Sequence, residues 1–115
     1  MPNPPTEPMS PEQSAALADF AKVLELNPKN TAAHIARANT YFKLNDRDRA
    51  LDEFDRASKI DPSDIRPYMA RAEAAERWGD NKLAIESYLL AATSNPRGAG
   101  HARQALKRLG VDRLP

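Results

Sequence analysis

Cysteine is absent from this 115-residue chain, which excludes disulfide scaffolds, thiolate metal sites and cysteine nucleophiles. Glycine occurs only four times, and neither a glycine-rich phosphate loop nor a strained nucleophile turn can be assembled from those four. Long apolar runs are also missing. The longest is Tyr88-Leu89-Leu90-Ala91-Ala92, far short of the roughly 20 apolar residues of a membrane span. Residues 1–11 lack the basic start and apolar centre of a secretory signal, so the sequence reads as that of a cytoplasmic protein with no membrane partner. No sign of charge dominates. Seventeen basic and sixteen acidic residues leave a formal net charge of +1, and no overall field steers the chain to nucleic acid. Alternating apolar runs and clusters of β-branched residues are lacking too, so no strand is predicted.

Proline, by contrast, is frequent, with 10 in the chain. Five lie in residues 1–11 and predict an extended tail over residues 1–10, since proline cannot continue a helix. Three others mark a period. Asn27-Pro28, Asp61-Pro62 and Asn95-Pro96 are spaced by 34 residues. Ala16, Ala50 and Ala84 keep the same offset, as do Phe20, Phe54 and Tyr88, and Leu17, Leu51 and Ile85. Asn45 aligns with Gly79, two residue types suited to the left-handed turn that ends a helix. Asp46 aligns with Asp80 as the next helix cap, and Asn30, Asp64 and Gly98 align as helix starters.

Each period holds two helices. The caps predict helices over residues 31–44, 47–60, 65–78 and 81–94. Ser10-Pro11-Glu12-Gln13 starts an earlier one that ends near Leu26. A last helix opens at Gly98 or Ala99 and stops before Gly110. The expectation is an all-α fold of about six helices over residues 11–110, two whole repeats flanked by half-repeats, with a short tail over 111–115. Ala38, Ala50, Ala72 and Ala84 sit where helices must approach closely. Phe54 and Tyr88, one turn beyond two of them, fill the space between helices at about 1.5–3 kcal/mol each.

The pattern Ala50 to Phe54 to Pro62, repeated as Ala84 to Tyr88 to Pro96 and as Ala16, Phe20 and Pro28, resembles the tetratricopeptide repeat family. The first half of that family's signature is altered. His34 and Tyr68 stand at its tryptophan position, Arg37 and Arg71 at its leucine, Ala38 and Ala72 at its glycine, and Tyr41 and Ala75 at its tyrosine. The resemblance covers residues 10–110 and implies a short right-handed solenoid of helical hairpins whose first helices line a concave groove. It also implies a protein–protein interaction module, an adaptor or assembly factor, that holds a partner's peptide or helix there. Groove residues by this resemblance are Ile35, Asn39, Phe42 and Lys43, then Arg66, Met69 and Glu73, then Arg103 and Lys107. Ile35, Phe42 and Met69 would give apolar contact, and Asn39 a hydrogen bond to a peptide backbone. Arg66, Arg103 and Lys107 would select an acidic partner.

The carboxylate clamp of chaperone-binding relatives is not reproduced. Asn39 matches it, but Ile35, Ala70, Gly100 and Gln104 occupy its other positions. Residues 65–115 carry nine basic and five acidic side chains, yet no nucleic-acid motif accompanies them and aromatics are few, so nucleic-acid binding is a minor alternative. His34 and His101 lack metal-ligand spacing, and His34 is expected to fill the aromatic's space. Asp52, Glu53 and Asp55, with Arg49 and Arg56 at neighbouring turns, read as a solvated, ion-paired helix face. No catalytic, cofactor or metal residues are assigned and no enzyme is expected. On the front helix, Ala18, Ala21 and Leu24 are expected to be partly exposed, covered by the proline-rich tail or open to weak self-association. The main alternative function is a structural subunit held permanently in a larger complex by its outer face or front helix.

Overall fold

The computed structural model describes residues 8–111. Residues 1–7 and 112–115 lie outside the described residues, and with them most of the two tails expected from the sequence. The described residues fall into two compact units, the first ending at Ile60 and the second beginning at Asp61. Among the described residues the regular elements are six α-helices and one 3₁₀ turn, with no strand.

The first unit holds α1 (Pro11–Leu26), α2 (Thr31–Lys43) and α3 (Arg47–Ile60). A reciprocal capping box starts α1. Ser10 Oγ accepts from the Gln13 backbone N–H at 3.1 Å and Gln13 Oε1 accepts from the Ser10 N–H at 3.0 Å, which satisfies two otherwise orphaned donors. Asn30 Oδ1 caps α2 by accepting from the Ala33 N–H at 3.0 Å. At the α2–α3 turn Asn45 adopts φ 58°. This left-handed residue lets the Asp46 N–H reach back to the Tyr41 carbonyl at 2.9 Å and its own N–H reach Phe42 at 3.0 Å, the paired bonds of a Schellman stop. Ala38 and Ala50 are fully buried and Phe54 is 1% exposed, as the small–aromatic pattern requires. On α1 the buried residue is Leu24, contrary to its expected exposure, whereas Ala18 and Ala21 are exposed.

The second unit holds α4 (Arg66–Arg77), α5 (Asn81–Ser94), a 3₁₀ turn (Pro96–Gly98) and α6 (Gly100–Arg108). Gly79 repeats the turn of Asn45, with φ 79° and the Asp80 N–H on the Ala75 carbonyl at 2.9 Å. Two helix starts differ from expectation. Asp64 does not cap a helix at Ile65; its carboxylate takes the Arg66 N–H at 3.1 Å and the Arg66 guanidinium as well. The helix then begins at Arg66, with Pro67 in a first turn that needs no N–H donor. Asn95 Oδ1 accepts from the Gly98 N–H at 3.3 Å, which holds Pro96–Gly98 as a 3₁₀ turn and delays α6 to Gly100. Ala72, Ala84, Ala91, Ala99, Ala102 and Leu106 are fully buried around Tyr88. Small side chains dominate this core, so the helices approach closely and a larger residue would overpack it.

Candidate functional site

Within the second unit a cavity of about 580 Å³ opens between α4 and α6, over α5. Met69 and Glu73 form its α4 wall, His101, Gln104, Ala105 and Arg108 its α6 wall, and Tyr88 comes from α5. Helical periodicity places these residues, since 101, 104, 105 and 108 recur on one face of α6 while Ala102 and Leu106 turn into the core.

Beside the cavity lies a charge network. Glu76 accepts from the Tyr88 hydroxyl at 2.6 Å and from two Arg108 nitrogens at 2.6 and 3.0 Å. The Arg108 bonds, followed by the Tyr88 hydroxyl, hold the Glu76 carboxyl below its usual range. Burial, followed by the hydrogen bond to Glu76, pushes the Tyr88 hydroxyl up to about 12. The network therefore keeps Tyr88 neutral and Glu76 charged, with Arg108 as its counterion. Glu73 stands on the wall above, exposed and with no ion pair or hydrogen bond among the described residues.

Of the expected groove residues, Met69 and Glu73 line this cavity. Arg103 and Lys107 are exposed on α6 but are absent from its lining. The α6 wall lies one residue on, which on a helix is a rotation of about 100°. Two of the three cations expected to select acidic groups are engaged within the chain. Arg66 makes its closest bond to Asp64 Oδ2, at 2.6 Å, and this pair holds the Asp64 carboxyl below its ordinary value. Arg103 donates to the Pro96 carbonyl at 2.6 Å. In the first unit, Asn39 and Lys43 are exposed on α2, while Ile35 and Phe42 are half-buried. Sequence reasoning missed His101 and Arg108 and treated Tyr88 as packing alone. The i, i+3, i+4, i+7 spacing of 101, 104, 105 and 108, turned away from Ala102 and Leu106, was the signal that could have found the wall.

A second polar cluster lies inside the first unit. Glu53, 4% exposed, accepts from Arg37 at 2.7 Å and sits 2.8 Å from His34 Nδ1. The other His34 nitrogen, Nε2, is 2.9 Å from the Pro28 carbonyl oxygen. A carbonyl can only accept, so Nε2 carries the donated proton. The expectation of a solvated Glu53 is corrected here, because its shortest contacts, to His34 and Arg37, lie across the hairpin on α2. Asp52 and Asp55 do form exposed pairs, with Arg56 at 3.1 Å and Lys59 at 2.9 Å. Among the described residues no group of three His, Asp or Glu side chains could hold a metal ion. No described helix is long and apolar enough to cross a membrane.

A search of curated proteins finds no match. Family models do match: one described as tetratricopeptide repeat covers residues 14–74, and a second of the same description covers residues 65–97. Such repeats generally mediate protein–protein interaction or complex assembly. The matched span takes in the α2–α3 and α4–α5 hairpins and the left-handed turns at Asn45 and Gly79, and the chain belongs to the tetratricopeptide repeat family.

Proposed function

We propose that the chain is a protein-interaction module, an adaptor or assembly factor, that captures a peptide or helix of a partner along the first helices of its repeats. The observation that carries this reading is the cavity walled by α4 and α6. It combines apolar surface from Met69 and Ala105 with polar groups from Glu73 and Gln104, the mixture that positions a ligand segment while burying it. Ile35, Asn39, Phe42 and Lys43 on α2 give the first unit a mixed apolar and polar helix face of its own. Selection of acidic groups by Arg66, Arg103 and Lys107 is not part of the proposal, since Arg66 and Arg103 already have partners.

The test is affinity capture from native lysate with wild type and with a Met69→Ala, Gln104→Ala, Asn39→Ala variant, both matched for helicity by circular dichroism. A protein partner lost from the variant supports the reading. A partner held equally by both forms moves the interface elsewhere.

One observation favours a second reading, a permanently bound structural subunit. The face of α5 bearing Ile85, Leu89, Leu90 and Thr93 lines an apolar depression of about 340 Å³. Lys82 and Glu86 line it as well. At the aligned positions α3 carries Leu51, Asp55, Arg56 and Lys59, so three charged residues of one repeat are replaced by Leu89, Leu90 and Thr93 in the next. Leu90 is 37% exposed. Replacing Leu89 and Leu90 by the Asp and Arg of α3 should release a partner seated there and leave one seated in the cavity.

A further inference from the structure

The geometry points to a lysine or arginine side chain of the partner as the occupant of the α4–α6 cavity, an inference that rests on the interaction reading above. The charged groups facing the cavity decide the sign. Arg108 gives two hydrogen bonds to Glu76, and Glu76 also accepts a hydrogen bond from the Tyr88 hydroxyl at 2.6 Å. That cation and that carboxylate neutralise each other. His101 is the other basic group on the α6 wall. Glu73 remains, an exposed carboxylate with no ion pair or hydrogen bond among the described residues, placed on the wall beside Met69.

The rest of the lining suits a cation on an apolar stem. Met69 and Ala105 offer aliphatic surface for methylenes, and Met adapts its shape to what it packs against. The Gln104 amide oxygen can accept a second N–H beside the two oxygens of Glu73, which matches the several donors of a guanidinium. An acidic side chain entering the same space would meet Glu73 with Arg108 already paired, so like-charge repulsion disfavours it.

The test uses the full chain with ¹³C-labelled methionine methyls, titrated at pH 8 with N-acetylargininamide, N-acetyllysinamide, the uncharged N-acetylnorleucinamide and N-acetylaspartamide. Arginine and lysine probes should shift the Met69 methyl saturably at millimolar concentration. They should bind about two- to fivefold more tightly than norleucine, as a partly screened ion pair gives. Added salt should shrink the difference. Glu73→Gln, at an exposed position whose loss removes no internal bond, should abolish it while leaving norleucine binding in place. Equal binding of norleucine and arginine by wild type, a preference for the aspartate probe, or no shift of Met69 with any probe each overturns the inference. Lysate capture separates the two levels. A partner kept by Glu73→Gln but lost from the Met69→Ala, Gln104→Ala, Asn39→Ala variant removes the cation inference alone. A partner kept by both removes the interaction reading at this cavity.

Discussion

Glu53→Ala is expected to destabilise the protein by about 2–3 kcal/mol, through electrostatics more than volume. Glu53 is 4% exposed and holds three basic groups, Arg37 at 2.7 Å, His34 at 2.8 Å and Arg56 at 3.6 Å. Breaking a fully buried pair by truncating one partner costs about 3–5 kcal/mol. The figure is reduced here because the Arg37 side chain is 18% exposed and that of Arg56 57%, so water takes up part of the freed charge. Arg37 Nε is already buried without a partner, which leaves that guanidinium little alternative hydrogen bonding. Glu53→Gln keeps the shape and an amide oxygen that accepts from Arg37, and should cost about 1 kcal/mol. The decisive measurement is a double-mutant cycle in urea, followed by far-ultraviolet circular dichroism. Arg37→Ala with Glu53→Ala should be less damaging than the two single effects added, by about 1–2 kcal/mol. Additive effects, or a Glu53→Ala variant within about 0.5 kcal/mol of wild type, would refute the assignment of this cluster as a clasp between α2 and α3.

The second unit offers further tests. Tyr88→Phe should cost about 1 kcal/mol, the low end for a buried hydroxyl because Glu76 keeps both bonds from Arg108; urea denaturation checks this, and a loss above about 3 kcal/mol would contradict it. The Tyr88 hydroxyl is pushed up to about 12 from an ordinary value of 10.0, by burial first and Glu76 second. The folded state holds that proton more tightly, so its contribution is fully present below pH 10.0 and is lost as pH rises towards about 12. Absorbance near the phenolate band should show that late component in wild type and not in Tyr88→Phe. Glu76 has the opposite sign. Its carboxyl is lowered from 4.5 by Arg108 and then Tyr88, so its contribution is present above 4.5 and fades as pH falls through the lowered value; Arg108→Ala should flatten acid unfolding in that range. Gly79→Ala should cost about 1–2 kcal/mol from the left-handed backbone alone, since φ is 79° and an added Cβ meets nothing within 4 Å. Gly79→Asn should cost less, as Asn45 holds the aligned turn at φ 58°.

The hairpins were legible because several unlike demands keep one period. Alanine at 38, 50, 72 and 84 is fully buried at each position, and the Asn45 and Gly79 turns make the same pair of backbone bonds. Local chemistry of this kind needs no knowledge of neighbours. Glu53 was misread for the converse reason. Its own helix offers Arg49 and Arg56 at suitable spacings, which is enough for a solvated face, but its burial is decided across the hairpin. The clue lay on the other helix, where His34 and Arg37 replace two apolar consensus residues side by side. Two basic groups placed in a hairpin core require a carboxylate opposite them, and Glu53 is the acidic residue that supplies it. The second repeat has Tyr68, Arg71 and Ser87 at those three places, and there Arg71 Nε bonds the Ser87 hydroxyl at 2.8 Å.

The candidate site was less legible, and the reason is also positional. Alignment by 34 residues carries Met69 and Glu73 onto Arg103 and Lys107, the same face of the next first helix. A cavity between two helices is walled by opposed faces instead, so α6 contributes His101, Gln104, Ala105 and Arg108. The period therefore identifies equivalent surfaces but not facing ones. It does supply an internal control. Where the repeats agree, at the alanines, the aromatics and the turns, the residues hold helices together. Where exposed residues diverge, packing has not dictated the choice. On exposed positions Arg56 becomes Leu90, and Asn39 becomes Glu73 on the cavity wall. A stability-neutral exchange of those residues between repeats that still altered partner capture would identify them as chosen for binding, since neither the fold nor the core distinguishes them.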